Sequence, residues 1–380
     1  GEIDSMMTLI RKFLEVLKTM GWRAATIKIL KYIRNRTFGP TTLAEKLKFK
    51  TDLLTELNNQ KKEITYLCQE TNRTLGGVKV IYKHSEFLAT QGVASSVFHP
   101  NNESLCYSWF EHKTAMRKNR PFSRLKDFVV IPEFWALPFA EKCLEQNCGY
   151  AIFVQNGYLL NAGVSPEDYE RLKKVYKRAN LILSISDDTT EIIRIAYPNI
   201  EPQRIIRVTP TIAESFVSSK KEKIISYMPR KLAEHSQKLC FYLKENLPNN
   251  WKLLPIENLS EQQVAQTLGH SSIFLSFSDQ EGFALPPLEA ALSGALVIGY
   301  TGQGAKEYFN SPNFIEIQNG DFKSFFKAVV SSMSEIDNGL LKSEAFLTGI
   351  RKLRDSYGRD SELKHLLLFA KAVEQGKNKH

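Results

Sequence analysis

Cysteine is scarce in this chain, and its distribution excludes two kinds of site. The chain has five cysteines, an odd number, and no two of them form a Cys-x-x-Cys pair. A disulfide framework needs paired cysteines and a structural zinc site needs clustered ligands, so neither is expected. Free thiols persist in a reducing compartment. The sequence therefore predicts a cytoplasmic protein.

Long apolar runs are also missing. A helix that crosses a bilayer needs about 20 apolar residues in succession. The best candidate, residues 128–140, is interrupted by Pro132, Glu133 and Pro138. Charged residues interrupt the apolar ones throughout the N-terminal region, so no secretory signal is expected. These absences exclude a membrane-spanning protein.

What is present is the composition of an ordinary folded protein with an excess of positive charge. Hydrophobic residues make up 43% and charged residues 24% of the chain, which excludes wholesale disorder. The length of 380 residues predicts two domains, since a domain usually has about 100–200 residues. Lysine and arginine exceed aspartate and glutamate by 51 to 41, a formal net charge of +10.

The first 40 residues predict a basic amphipathic helical segment. Residues 8–36 carry eight basic side chains and one acid, Glu15. Apolar residues recur there at helical spacing, namely Leu9, Phe13, Leu17, Met20, Ala24 and Ile27. Such a helix can lie in the interface of an anionic membrane, or it can pack on the protein's own core with its basic face in water. Both interpretations stay open.

Strands and helices alternate from residue 62 onward in two successive series. The first series predicts strands at 64–68, 96–99, 128–131, 151–154, 181–185 and 205–208. The second series follows Pro210 and predicts strands at 224–227, 251–254, 273–277, 296–300 and 314–317. Several strands are almost entirely apolar, as expected when helices cover both faces of a parallel sheet. We predict an α/β protein of two Rossmann-like, doubly wound domains facing across a cleft, with boundaries at 41–210 and 211–340. Closing helices at 341–375 are expected to pack back onto the first domain.

The most informative segment runs from a strand through a glycine turn into a helix that opens with two prolines. It reads FSDQEGFALPPLE over residues 277–289. Proline suits a first helical turn because the missing N–H has no partner there. The backbone amides of Gly282, Phe283, Ala284 and Leu285 should then point into the cleft and bind a diphosphate. Glu289 is expected in the first turn, where it would accept hydrogen bonds from ribose hydroxyls, and Glu281 would face the sugar beyond the phosphates.

This segment resembles the donor-site signature of retaining, nucleotide-sugar-dependent glycosyltransferases of family four. The resemblance includes EGFALPPLEA at 281–290, then Gly294, and then Gly302, Gly304 and Glu307. It extends to the N-terminal half, where GGVKVIY at 76–82 and VFHP at 97–100 are similar to the family's first glycine-rich loop, helix and second strand. The resemblance covers roughly residues 62–335 and implies the GT-B fold, two Rossmann-like domains with an acceptor half and a donor half.

The resemblance also assigns roles by position. It implies that Glu289 binds the ribose, that Glu281 contacts the donor sugar, and that residues 283–285 hold the phosphates. Arg230 and Lys231 follow the first strand of the second domain, where the family has an Arg and a Lys that neutralise the leaving diphosphate. These two are adjacent here, whereas the family more often spaces them several residues apart after a glycine. Gly76 and Gly77 are expected in a loop at the donor, followed by a helix from Val78.

A few further residues stand at predicted strand ends. Ile256 follows a strand of the second series and is a candidate contact for the nucleotide base. His99, Glu133, Gln155 and Asn156 follow strands of the first series and could face the cleft, whereas His84 is interpreted as a packing or surface residue. No cluster of carboxylates with metal-ligand spacing is visible in the cleft segments, so we expect neither a metal nor another cofactor.

The sequence therefore predicts a retaining hexosyltransferase that moves a sugar from a nucleotide donor, UDP-linked in our interpretation, onto a growing glycan. Retention without a protein nucleophile follows from attack on the leaving-group face, with the departing phosphate helping to deprotonate the acceptor. The basic N-terminal segment fits a lipid-linked acceptor at the inner face of a bacterial membrane. Two alternatives remain, a GT-B sugar-nucleotide epimerase and a non-catalytic basic interaction module. Nucleic acid is not expected, because no recognition helix or aromatic–basic platform is visible.

Overall fold

The computed structural model describes residues 61–73, 75–118 and 121–376. The predicted basic segment at residues 1–40 lies outside the described residues. Two parallel sheets, each covered by helices, form the described part of the chain. The predicted fold class, two doubly wound α/β domains, is confirmed.

The first sheet has six parallel strands in the order β2-β1-β3-β4-β5-β6. Alternate residues of each strand point to opposite faces, and both faces are buried: Phe128 and Val130 of β3 join one core cluster, Val129 and Ile131 another. This explains why the strands read as continuous apolar runs in the sequence. The strands are β1 Glu63–Leu67, β2 Ser95–Phe98, β3 Asp127–Pro132, β4 Gly149–Val154, β5 Leu181–Ser184 and β6 Ile205–Arg207.

The second sheet has five parallel strands in the order β11-β10-β9-β7-β8. In both sheets the chain first builds outward on one side and then reverses, so that the first and third strands of each sheet are neighbours. Ligands of open α/β sheets bind at the carboxyl ends of the strands beside this reversal. The strands are β7 Glu222–Tyr227, β8 Lys252–Pro255, β9 Ser271–Glu281, β10 Leu296–Gln303 and β11 Phe314–Glu316.

Most of the helices lie between consecutive strands, and several begin at side-chain caps. Ser186 and Asp321 accept backbone N–H bonds at the starts of two helices, and Ser260 with Gln263 forms a capping box at a third. The helices are α1 Gly76–Thr90, α2 Ala136–Glu145, α3 Tyr169–Arg178, α4 Asp187–Ala196, α5 Ala233–Lys244, α6 Glu261–His270, α7 Leu285–Leu292, α8 Phe322–Asp337, α9 Glu344–Ser356 and α10 Arg359–Gln375. None of the described helices is long and apolar enough to span a bilayer.

The closing stretch differs in part from the prediction. It forms two helices, and only the second, α10, packs against α1 of the first domain. The first, α9, packs against α7, and its Phe346 is buried in the core of the second domain. The chain therefore crosses back near Tyr357 and Gly358 rather than at residue 341. The reason is that α9 buries Phe346 in the core of the second domain before the chain turns back.

Glu307 joins the two domains through an ion-pair network. Its carboxylate accepts hydrogen bonds from the Asp187 amide at 2.9 Å and from the Tyr357 hydroxyl at 3.0 Å. Arg207 at the end of β6 contacts the same carboxylate and also pairs with Asp187 at 2.6 Å. The glutamate that ends the signature segment therefore holds β6, α4 and the α9–α10 connection to the second domain.

Candidate active site

The candidate site lies where the strand order of the second sheet reverses, between β7 and β9. Glu281 is the last residue of β9, and α7 begins four residues later at Leu285. The backbone between them turns sharply, since Ala284 has a left-handed φ of 63°. The hydroxyl of Tyr308 donates a hydrogen bond to the carbonyl oxygen of Ala284 and fixes this turn. The turn brings the α7 N-terminus close to the first domain.

The turn leaves a series of backbone amides without partners. The N–H groups of Gly282, Phe283, Ala284 and Leu285 donate no hydrogen bond within the described part of the chain. The first N–H groups of a helix have no intrahelical acceptor, and the helix dipole adds partial positive charge at this end. Consecutive amides in this position can hold the oxygens of a diphosphate. The geometry at residues 282–285 is thus of the kind that the sequence predicts, while its occupation stays a prediction.

Lys231 and Glu281 form an ion pair at the same turn. Both side chains are partly exposed, and burial lowers the pKa of Lys231 to about 8, with the neighbouring Arg230 charge acting in the same direction. Arg230 itself is exposed. Of the two adjacent cations, Lys231 is therefore the one that contacts Glu281.

Glu289 lies one turn further into α7 than predicted. It is the fifth residue of the helix, at the start of the second turn, because α7 begins at Leu285. Burial raises the pKa of Glu289 to about 7, the positive charge of Lys79 lowers it, and the negative charge of Glu261 raises it. Near neutral pH this carboxyl therefore exists in both protonation states.

The charge of Lys79 acts on Glu289 from the other domain. It lies in the first turns of α1, and its ammonium group forms an ion pair with Glu261, the first residue of α6 in the second domain. Its side chain is 13% exposed and also lies 5.9 Å from the centroid of the Phe216 ring. This pair cannot be predicted from the sequence, because nothing local couples two residues 182 positions apart. The capping box before Glu261 could have placed that residue at a helix start, but not opposite Lys79.

Gly76 and Gly77 do not form a loop, which corrects the prediction. They are the first two residues of α1. A Cβ at Gly76 would lie 2.9 Å from Cδ1 of Leu285, and one at Gly77 would lie 3.0 Å from Oε1 of Gln155. A side chain at either position would therefore have to displace the end of the Leu285 or Gln155 side chain. The N-termini of α1 and α7 consequently meet across the cleft.

Side chains that follow β3 and β4 form hydrogen bonds near the N-terminus of α1 and the end of β9. The Gln155 side chain donates a hydrogen bond to the Gly77 carbonyl at 3.1 Å, and the Asn156 side chain donates to the Gln280 carbonyl at 2.7 Å. Glu133 accepts a hydrogen bond from the Asn156 amide at 2.9 Å, and burial raises its pKa to about 7. The Asn156 side chain therefore contacts the second domain, whereas the side-chain bonds of Gln155 and Glu133 lie within the first domain.

The side chains of Ile256 and Phe283, which the sequence predicts at the donor site, are buried in the core. Ile256 is 5% and Phe283 3% exposed. The ring of Phe283 packs between Tyr308 and Tyr357, with centroid distances of 5.3 and 5.5 Å, so only its backbone is available to a ligand. Only a small part of Ile256 can contact a nucleotide base.

Two histidines also belong to the core of the first domain. His84 stacks on Phe153 and lies 3.2 Å from the carboxylate of Glu362, in agreement with its interpretation as a packing residue. His99 is buried, and its ring makes hydrogen bonds to the Tyr82 hydroxyl and the Cys68 carbonyl, so it does not face the cleft.

No protein-family model matches this chain. Over 142 residues the chain is 25% identical to the alpha-1,6-glucosyltransferase of Actinobacillus pleuropneumoniae serotype 7. That match covers 35% of this chain and 42% of the relative, so the chain spans less than half of the length of this curated protein.

Solved structures share the fold at low sequence identity. The chain resembles sucrose-phosphate synthase from Thermosynechococcus elongatus, with a TM-score of 0.59, 12% identity and coverage of 83% of this chain and 99% of that one. It also resembles HepE from Anabaena, solved in complex with UDP and glucose, with a TM-score of 0.57, 11% identity and coverage of 83% and 100%. A structure of HepE with UDP-glucose gives a TM-score of 0.58 at 11% identity, covering 82% and 99%. These neighbours are GT-B glycosyltransferases, and this chain has the GT-B fold.

Proposed function

We propose that this protein is a glycosyltransferase that takes a sugar from a nucleotide-sugar donor and transfers it to a glycan. The observation that carries the proposal is the set of unpartnered amides at residues 282–285, with the Lys231–Glu281 pair on one side and Glu289 on the other. The GT-B fold and the partial match to a glucosyltransferase support the same activity. Because HepE was solved with UDP-glucose, we favour a UDP-sugar donor.

In this proposal each group has a distinct task. The amides of residues 282–285 hold the diphosphate, and ionised Glu289 accepts hydrogen bonds from the ribose hydroxyls. Cleavage of the glycosidic bond builds negative charge on the departing phosphate, which the cations of Lys231 and Arg230 stabilise. When the donor binds, Lys231 exchanges its contact with Glu281 for the phosphate, and Glu281 is released to bind the sugar hydroxyls.

The finer features of the reaction belong to the same proposal. The acceptor hydroxyl attacks from the face that the phosphate leaves, so the anomeric configuration is retained. Its proton passes to the departing phosphate oxygen, and no protein nucleophile or metal is required. We further propose that the acceptor is a growing, lipid-linked polysaccharide. In that case the basic segment at residues 8–36 would place the enzyme on the cytoplasmic face of a membrane.

A ligand panel tests the activity. Thermal unfolding is measured with UDP, GDP, ADP and their common sugars, and turnover is measured with and without a glycan acceptor. UDP and UDP-sugars should raise the melting temperature by mass action. Turnover of a UDP-sugar into an isomeric sugar without any acceptor would indicate an epimerase instead. Salt-sensitive binding to polyanions with no response to any nucleotide would indicate a basic interaction module.

Two glutamate variants test the division of tasks. Glu289→Ala removes the ribose acceptor and should weaken UDP binding by about tenfold or more, because a charge-assisted hydrogen bond is worth about 1.5–3 kcal/mol. Glu281→Ala should leave UDP affinity within about threefold and lower kcat more strongly, because its partner is the sugar. Isothermal titration with UDP and steady-state kinetics separate the two effects. Equal losses of affinity and turnover in both variants would contradict the assignment.

A further inference from the structure

A cavity lies beside the candidate donor site. It has a volume of about 620 Å³ and opens at the carboxyl ends of β9, β10 and β11, with Tyr158 of the first domain on its wall. We propose that this cavity binds a neutral saccharide chain, namely the acceptor sugars adjacent to the one that reacts. The inference rests on the proposed glycosyltransferase function and assigns the glycan a place largely in the second domain.

The position of the cavity follows from the strand order. Lys231 and Ile256 follow β7 and β8, whereas the cavity lies at β9 to β11, on the opposite side of Glu281. Glu281 pairs with Gln303 in the sheet, and its carbonyl accepts a hydrogen bond from Gly304 at 3.1 Å. The wall of the cavity is therefore continuous with the backbone of Glu281. A sugar held by Glu281 would lie between the nucleotide and a chain in the cavity.

The chemistry of the lining fits an uncharged polyhydroxylated ligand. Four of the lining side chains are carboxamides, Gln280, Gln303, Gln318 and Asn319. A carboxamide both donates and accepts hydrogen bonds, as a sugar hydroxyl does. In the described part of the chain, the side chains of the three glutamines form no hydrogen bond, and Asn319 makes one long bond of 3.4 Å to Asp279. These amides are exposed and available to a ligand.

The charges and the aromatic ring in the cavity lining also fit a neutral saccharide. Asp279 and Glu316 outnumber Lys306, so the lining does not favour a second phosphate or nucleotide. The partly exposed ring of Tyr158 has its hydroxyl fixed by a 3.0 Å hydrogen bond to Asp188. A fixed aromatic face can pack against the C–H face of a pyranose ring while the amides bind its hydroxyls.

The backbone that presents the amides adopts an uncommon conformation. Gln280 and Gln303 have left-handed φ values of 46° and 71°, which non-glycine residues rarely adopt. The Asn156 side chain holds the Gln280 carbonyl from the other domain. Conformations of this kind persist where the surroundings impose them, and they concentrate at ligand sites. Here they direct two carboxamides from neighbouring strands to the same opening.

Ligand-observed NMR and kinetics test the assignment. Saturation transfer is measured with tetrasaccharides of α-1,6-, α-1,4- and β-1,4-linked glucose, on wild type and on the double variant Gln303→Ala/Gln318→Ala. A matched control is Gln237→Ala/Gln266→Ala, which removes two exposed glutamines of α5 and α6 outside the cavity. At least one tetrasaccharide should bind wild type and control, and the cavity variant should bind it about tenfold more weakly, because two hydrogen-bonding groups are lost. The acceptor KM should rise similarly, with UDP affinity unchanged.

Two outcomes would overturn the cavity assignment: no tetrasaccharide binds wild type, or the cavity variant binds as tightly as the control. Failure of the proposed function looks different. In that case UDP and UDP-sugars would shift the melting temperature of none of the three proteins. Saccharide binding that depends on Gln303 and Gln318 would still support a glycan site there.

Discussion

At the scale of single residues, burial has the largest effect on the protonation of Glu289, and a charge from the other domain opposes it. Burial raises its pKa to about 7, and the charges that act on it are Lys79 of α1 and Glu261 of α6. A ribose hydroxyl donates most strongly to an ionised carboxylate. Nucleotide affinity should therefore fall as the pH decreases through about 7.

Replacing Lys79 by methionine should move this dependence to higher pH. Without the cation the pKa of Glu289 rises, and for a rise of about one unit the affinity for UDP-glucose drops about fivefold at pH 7 and is nearly unchanged at pH 9. UDP-glucose is the better ligand here, because the terminal phosphate of UDP titrates at about pH 6. Isothermal titration between pH 6 and 9 measures the shift.

The control for this prediction lies one turn along the same helix. Lys83→Met removes a cation that pairs with Glu86 on α1 at 2.8 Å and should leave the pH profile unchanged. Glu289→Gln should remove the dependence altogether. A profile of Lys79→Met that coincides with wild type would show that the charge of Lys79 does not act on Glu289.

At the scale of elements, the site depends on the close approach of a turn, a strand end and a helix start. A Cβ at Gly282 would lie 1.7 Å from the carbonyl oxygen of Gln155, which belongs to the other domain. Gly304 is similarly restricted, because a Cβ there would lie 2.3 Å from the backbone of Gly282. Gly282 and Gly304 thus allow three backbone segments to approach one another closely. A side chain at either position would have to displace one of these segments.

Gly282→Ala should therefore separate the two domains at the site. We expect a loss of about 1–3 kcal/mol in the free energy of unfolding, or a more open cleft, because overpacking displaces the backbone. Urea denaturation and small-angle scattering distinguish these results, and UDP binding should weaken in either case. Gly376→Ala is the matched control, since a Cβ there meets nothing within 4 Å. Wild-type stability and affinity in Gly282→Ala would contradict the close approach.

At the scale of the whole molecule, the net charge of +10 is carried in part by residues 8–36, which contain eight basic residues and one acid. Each basic residue near an anionic membrane contributes about 1 kcal/mol of attraction. A variant lacking residues 1–40 should bind phosphatidylserine-containing vesicles at least about tenfold more weakly than the full chain in a sedimentation assay. Vesicles of phosphatidylcholine alone provide the control, and raised salt should weaken the binding. Equal binding by both proteins would remove the support for a membrane role.

The sequence by itself determined the parts that depend on local patterns. Apolar runs of strand length alternate with amphipathic helices because each element must bury a face, and that alternation predicts both sheets. The glycine turn before Pro286 predicts the helix start in the same way, because its chemistry lies within a few residues. The close approach of Gly76 to Leu285 and of Gly77 to Gln155 escaped prediction, since the sequence does not place these residues beside one another.

Only the tertiary structure decided which distant groups meet. It placed Lys231 against Glu281, Lys79 against Glu261, and Glu307 between the domains. It also brought Gln303 and Gln318 to one cavity. A side chain's protonation and partners depend on burial and on charges a few ångströms away in space. Those neighbours come from both domains, and no spacing along the chain records their approach.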